Sequence, residues 1–237
     1  MAALIDCHIL TLPRFRAQWI AELRQDLDNE PLNQHWMEGV EGDLGMARAA
    51  GYATGSAPFV TSADPDDRIL PGTFAALHEA LINNPRAPFA WAGEQLVGED
   101  LAPWDVRPNV WPGGYSPFLH LTRGTHGHGV KLSRRELVMT VLTDMMRTGL
   151  CCEFLLDYAL ARPHTNPAPS TWPVHVPMVG RLWRQHDHNG SKSFQVSDFD
   201  RMARVLGFDS MQAVRAASID HGYRATKYVS AASNMVL

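Results

Sequence analysis

Residues Met46–Pro71 read MARAAGYATGSAPFVTSADPDDRILP. A helix-spaced segment, Gly45-x-Ala47-Arg48-x-x-Gly51, runs without a breaker until Gly55 and gives way to a short apolar run, Ala57-Pro58-Phe59-Val60. Asp64-Pro65-Asp66-Asp67 follows, three carboxylates within four residues, and Ile69-Leu70-Pro71-Gly72 leads into another apolar helix. In an extended backbone alternate side chains share a face. Carboxylates at 64 and 66 can then converge on one hard divalent cation, which prefers oxygen ligands. The plainer reading is a solvated acidic turn, with Asp and Pro in their usual turn roles.

The same alternation extends outward. Residues 3 to 12 read as a buried strand and 14 to 27 as an amphipathic helix with Phe15, Trp19, Ile20 and Leu23 on one face. A strand at Asn33 to Val40, a helix through Ala53, a strand at 57 to 63 and a helix from Gly72 to Ile82, closed by Asn83-Asn84-Pro85, complete the first 85 residues. Strand alternating with helix predicts an α/β domain, a mostly parallel sheet flanked by helices. Phe89 to Val97 is a further strand, and Leu101 to Phe118 a Pro/Gly-rich loop whose Trp104, Trp111 and Tyr115 either pack on the domain or stack on a ligand. Gly124 to Leu132, with His126 and His128, runs into Arg134-Arg135-Glu136-Leu137 at the start of a helix. Residues 149 to 161 look helical, 174 to 188 look like a strand with a polar end, and the tail reads as helices at 198 to 206 and 210 to 219.

Composition suits one enzyme-like domain: 237 residues, 45% hydrophobic and 19% charged. A formal charge of -4 gives no global basic footprint for nucleic acid, although a local basic surface stays open. No apolar run approaches membrane-span length and no signal-peptide pattern opens the chain, so a soluble, cytoplasmic protein is expected. Cys7, Cys151 and Cys152 are an odd set without CxxC spacing, read as buried reduced thiols.

The ordered string of helix, strand, Asp-x-Asp-Asp and Pro-led helix resembles the nucleotide-sugar glycosyltransferases of GT-A fold, family two. That resemblance implies a GT-A-like domain over 1–195, with a nucleotide-sugar half at 1–100 and an acceptor half at 101–195, and a helical extension at 196–237. It implies Mn2+ or Mg2+ held by Asp66, with Asp67 and His186 as further metal ligands and Asp64 on the donor. Thr11, Pro13 and Arg14, where the first strand ends, are implied donor-binding residues, joined by Arg48, by an acid after the second strand (Glu38 or Glu41, with Glu41 preferred) and by Arg184. His186 enters through Trp183-Arg184-x-His186-x-x-x-x-Ser191, similar to the family's closing Tyr-Arg-x-His motif. Cys152-Glu153-x-x-Leu156 resembles the Glu-Asp-x-x-Leu motif with its first acid lost, which makes Glu153 the implied general base. A carboxylate at a helix N-terminus is kept ionised by the helix dipole. Asp157, one turn on, is expected to face solvent.

The expected activity is a metal-dependent, inverting transfer of one sugar from a nucleoside diphosphate sugar, with UDP the first candidate, to a hydroxyl acceptor. The Gln-x-x-Arg-Trp motif of processive members is absent, which favours single transfer. Protein, glycan, small molecule or a hydroxylated DNA base all stay open as acceptor. Two alternatives keep the acid cluster: a metal-dependent nucleotidyltransferase or phosphohydrolase, and a non-catalytic nucleotide-sugar binder.

Overall fold

The computed structural model describes residues 4–40, 44–106, 108, 110, 115, 127–148, 156, 157, 160, 173–187, 203, 204, 208–210, 212, 213 and 216. The order of elements is β1 (Ile5–Thr11), α1 (Ala17–Leu27), β2 (Asn33–Glu38), α2 (Leu44–Ala53), β3 (Phe59–Ala63), β4 (Arg68–Ile69), α3 (Thr73–Asn83), β5 (Phe89–Val97), β6 (Val130–Arg134), α4 (Arg135–Thr148) and β7 (Val174–Arg184). The seven strands form one sheet in the order β2-β1-β3-β6-β5-β7-β4. β1, β2, β3, β5 and β7 run one way, and β4 and β6 run against them. The mostly parallel α/β sheet expected from the alternation is therefore present. The 101–118 loop contributes no helix or strand among its described residues, and the 196–237 extension lies mostly outside the described residues.

Alternation along β1 sorts the two faces. Ile5, Cys7 and Ile9 join Leu23 and Leu27 of α1 and Phe74, Leu77 and Leu81 of α3 in one apolar core. Cys7 is a free, buried thiol whose pKa burial pushes far up, so it is inert packing. His8, pointing the other way, meets α2: a Cβ on Gly51 would lie 2.3 Å from the His8 ring, so only glycine lets that helix seat. α4 packs beside α2 on the same side, over β6. Helices thus cover both faces.

Chain order reverses at β1. β2 is laid on one side of it and β3 on the other, with Thr11 and Ala63 at the two strands' carboxyl ends. Such a switch point opens a crevice at the strands' carboxyl ends. The segment after β1 and the acid cluster after β3 flank it.

Candidate active site

The acid cluster is a turn, not a strand end. The Asp67 N–H donates to the Asp64 carbonyl at 3.0 Å with Pro65 at the second position, which suits a φ near −65°. This corrects the extended geometry assumed for 64 and 66, and its consequence is that the three carboxylates have different nearest partners. Asp64 ion-pairs with Arg48 of α2, whose side chain is buried. Asp66 Oδ2 lies 2.8 Å from His186 Nε2, a residue 120 positions away just past the end of β7. Asp67 turns inward, 2% exposed, taking the Arg184 N–H at 2.9 Å on Oδ1 and Arg181 at 3.3 Å on Oδ2. Burial raises the Asp67 pKa well above the ordinary range; Arg181 opposes this, while Asp66 and Asp64 add to it. With both Asp67 oxygens occupied, the contact between the turn and the end of β7 on the side of α1 is the largely buried pair Asp66 and His186.

A second group surrounds that pair. His186 lies against Trp19 of α1, ring centroids 4.9 Å apart, and Arg16 and Arg184 stack on the same indole at 4.5 and 4.9 Å. Arg184 reaches Glu22 of α1 at 2.6 Å. The salt bridge from Arg184 holds the Glu22 carboxyl below its usual range against the opposing effect of burial. Arg14, Phe15, Arg16, Trp19, Glu99 and His186 line a cavity of about 140 Å³. Arg14 of the implied donor set therefore stands at the same opening as His186. Pro13 is exposed beside it, Thr11 Oγ1 donates to the Met37 carbonyl at 3.0 Å, and Glu38 ends β2. Glu41, Glu153, His126, His188 and Ser191 lie outside the described residues.

Trp19, Glu22 and Arg181 stand in these two clusters without having been singled out for them, and behind Arg181 stand Glu94, at 2.5 Å, and His128, which pairs with Glu94. The legible signal was Glu94, the lone charge inside the mostly apolar strand FAWAGEQLV, since a buried charge demands a partner. Asp157 corrects another expectation: it is buried rather than facing solvent, and its carboxylate is paired with Lys131 of β6, as a buried charge requires.

Among the described residues no three His, Cys, Asp or Glu side chains gather as a metal site. The Asp66–His186 pair nonetheless offers a carboxylate oxygen and an imidazole nitrogen, donors that Mn2+ and Mg2+ accept. Such ions are commonly held beside phosphates by one or two protein groups, with substrate oxygens and water filling the shell. The donor set fits that arrangement.

No family model matches the chain, and no curated protein matches it. Solved structures do. S. aureus TarS 1-349 superposes with a TM-score of 0.59 at 12% identity over 98% of this chain and 75% of that one. Its complex with UDP-GlcNAc gives 0.60 at 12% identity over 92% and 72%. Glucosyl-3-phosphoglycerate synthase from Mycobacterium tuberculosis, solved with Mn2+, UDP-glucose and phosphoglyceric acid, gives 0.55 at 13% identity over 87% and 81%. The chain has a GT-A-like fold. At these identities the likeness speaks to fold. No helix among the described residues is long and apolar enough to cross a membrane.

Proposed function

We propose that the protein is a metal-dependent, inverting glycosyltransferase that moves a single sugar from a UDP-sugar to a hydroxyl acceptor. The observation that carries this reading is the meeting of Asp66 and His186, 120 residues apart, at the rim of the cavity built by the segment after β1. Three structural neighbours, solved with UDP-GlcNAc, UDP and UDP-glucose, support a nucleotide-sugar donor. Mn2+ or Mg2+ would be held by Asp66 and His186 and, when bound, would supply positive charge against the departing diphosphate.

Each remaining task falls to the chain's own side chains. Arg48 fixes Asp64 at the donor side, and Asp67 anchors the turn to β7 so that Asp66 stays opposite His186. Arg14, with Thr11 and Pro13, forms the nucleotide side of the crevice, and Glu41 belongs to the same donor set by resemblance. Arg184 shapes the wall by fixing Trp19 and Glu22. Removal of the acceptor proton falls, on the resemblance, to Glu153. The free thiol of Cys7 suits a reducing compartment, and a cytoplasmic site of action goes with this reading.

Donor turnover tests the proposal. UDP-glucose and UDP-GlcNAc, each incubated with Mn2+ and a panel of hydroxyl acceptors, should release UDP in step with acceptor. Release of nucleoside monophosphate or inorganic phosphate would favour the phosphohydrolase alternative, and UDP binding without turnover the non-catalytic one.

A further inference from the structure

A row of alternating charge crosses the sheet behind the acid turn. Arg181 of β7 stands in register with Glu94 of β5. Its guanidinium lies 2.5 Å from Glu94 Oε2, 3.3 Å from Asp67 Oδ2 and 4.0 Å from Asp64 Oδ2. The other Glu94 oxygen lies 2.6 Å from Nδ1 of His128, just before β6. Glu94 is fully buried, whereas the His128 side chain is 31% exposed.

The contacts of the ring decide its tautomer. Arg181 also approaches His128 Nδ1, at 3.3 Å, but a guanidinium can only donate. The closer partner is the Glu94 carboxylate, so Nδ1–H and the guanidinium both point at Glu94, and their mutual approach follows from sharing that acceptor. Burial by itself would raise the Glu94 pKa; His128 and Arg181 outweigh it and hold the carboxyl well below its usual range. A carboxylate on Nδ1 places the lone pair of the neutral ring on Nε2. No described residue hydrogen-bonds that nitrogen.

Position is fixed as firmly as tautomer. His128 stands between Gly127 and Gly129, at φ 75° and 112°, and a Cβ on Gly129 would lie 2.2 Å from the Ala92 carbonyl oxygen. The ring also lies against Trp183, centroids 4.8 Å apart. One guanidinium separates it from Asp64 and the donor side. This is more positioning than a partly exposed imidazole needs for packing.

We propose that His128, oriented by Glu94, is the base that takes the proton of the attacking oxygen. The inference rests on the transferase reading and takes from Glu153 the task that the resemblance assigns to it. As the oxygen–anomeric carbon bond forms, the bond from that carbon to the diphosphate oxygen breaks and its electron pair leaves with UDP. The proton passes to Nε2 and afterwards to water, while Nδ1–H stays on Glu94. Among the described residues the charged groups that contact the ring are Glu94 of β5 and Arg181 of β7.

The test uses UDP-GlcNAc and UDP-glucose with Mn2+ and water as the nucleophile, and reads UDP release. His128→Gln should lower release by about 10²- to 10⁴-fold, the usual worth of a positioned base. It should leave the UDP-induced thermal shift unchanged. Release within a few-fold of wild type overturns the inference; a Glu153→Gln variant that alone abolishes release returns the base to Glu153. A wild-type protein that shows neither a UDP-induced shift nor UDP release overturns the transferase reading instead, and this inference with it. Nitrogen-15 NMR of the ring needs no turnover. The Nδ1–H tautomer at alkaline pH is expected, and the Nε2–H tautomer would contradict the proposal.

Discussion

Asp66 and His186 touch each other because a tight turn and the end of the sheet's longest strand are pinned together from behind. The pin is Asp67, whose carboxyl takes the Arg184 N–H and the Arg181 guanidinium. Neighbouring aspartates thus have different work: one faces the crevice and the other fixes where it faces. On the proposed reading, His186→Ala should reduce Mn2+-dependent UDP binding by at least about tenfold, an effect on the scale of losing support at a metal site. Metal-free UDP binding should change little. Thermal shift with UDP, with and without Mn2+, separates these cases, because a ligand of the folded state raises its stability by mass action. Equal losses under both conditions would make His186 a packing partner of Trp19 and nothing more.

At the scale of elements, α3 shows how the loops behind the site are fixed. It begins at Gly72, φ 79°, with no cap from its own sequence. Glu30, from the turn after α1, accepts the Gly72 N–H at 2.6 Å and the Phe74 N–H at 3.0 Å, capping the helix from 42 and 44 residues away. Glu30→Ala should cost about 1–2 kcal/mol, as cap removal does. For a domain of this size that lowers the melting temperature by about 2–8 °C. No measurable change would mean that water replaces the cap. The long-range cap also explains what the sequence could and could not disclose. Apolar runs and helical periodicity revealed the strands and helices of the first 97 residues except the two-residue β4, because β1 is a continuously buried run and the buried faces of α1 and α3 repeat at helix spacing. It could not reveal that Glu30 caps α3 or that Glu94 meets Arg181 and His128, since those pairings depend on register between distant segments. The motif order named both Asp66 and His186, which lie 2.8 Å apart. The same reading assumed an extended backbone for Asp64 to Asp67, where Pro65 and the 3.0 Å hydrogen bond of the turn prevail.

At the scale of the molecule, an ionic clamp closes the sheet at the amino ends of β1 and β3, opposite the acid turn. Asp6, 2% exposed, accepts hydrogen bonds from Asn33 at 3.0 Å, the Ala57 N–H at 2.8 Å and Arg135 at 2.7 Å, and pairs with His35 at 2.9 Å. Arg135 also donates to the carbonyls of Ala57, Tyr52 and Thr54, tying α4 and α2 to the same point. Burial opposes the Asp6 charge, but the hydrogen bonds from His35, Asn33 and Ala57 outweigh it and lower the pKa. A depressed folded-state pKa means that the unfolded chain binds the proton first on acidification. The clamp's contribution is therefore complete above the ordinary carboxylate pKa of about 3.9 and lost as pH falls through the folded value. Asp6→Asn should cost about 3 kcal/mol at pH 7, by removing the buried charge that the partly buried Arg135 guanidinium pairs with. Denaturant midpoints for wild type and variant should stay apart down to the ordinary carboxylate range and converge only as pH falls through the lower folded-state pKa of Asp6; a gap that persists below it would assign the loss to packing.

The central claim is that the crevice between the segment after β1 and the acid turn holds a nucleoside diphosphate through a metal on Asp66 and His186. Calorimetric titration of UDP into the wild-type protein and into Asp66→Ala, each with and without Mn2+, tests it most directly. The account predicts saturable one-to-one binding to wild type that strengthens with Mn2+, and an Asp66→Ala protein in which Mn2+ makes no difference. Wild-type protein that takes up no UDP in either condition, or Mn2+ enhancement that survives in Asp66→Ala, would contradict it.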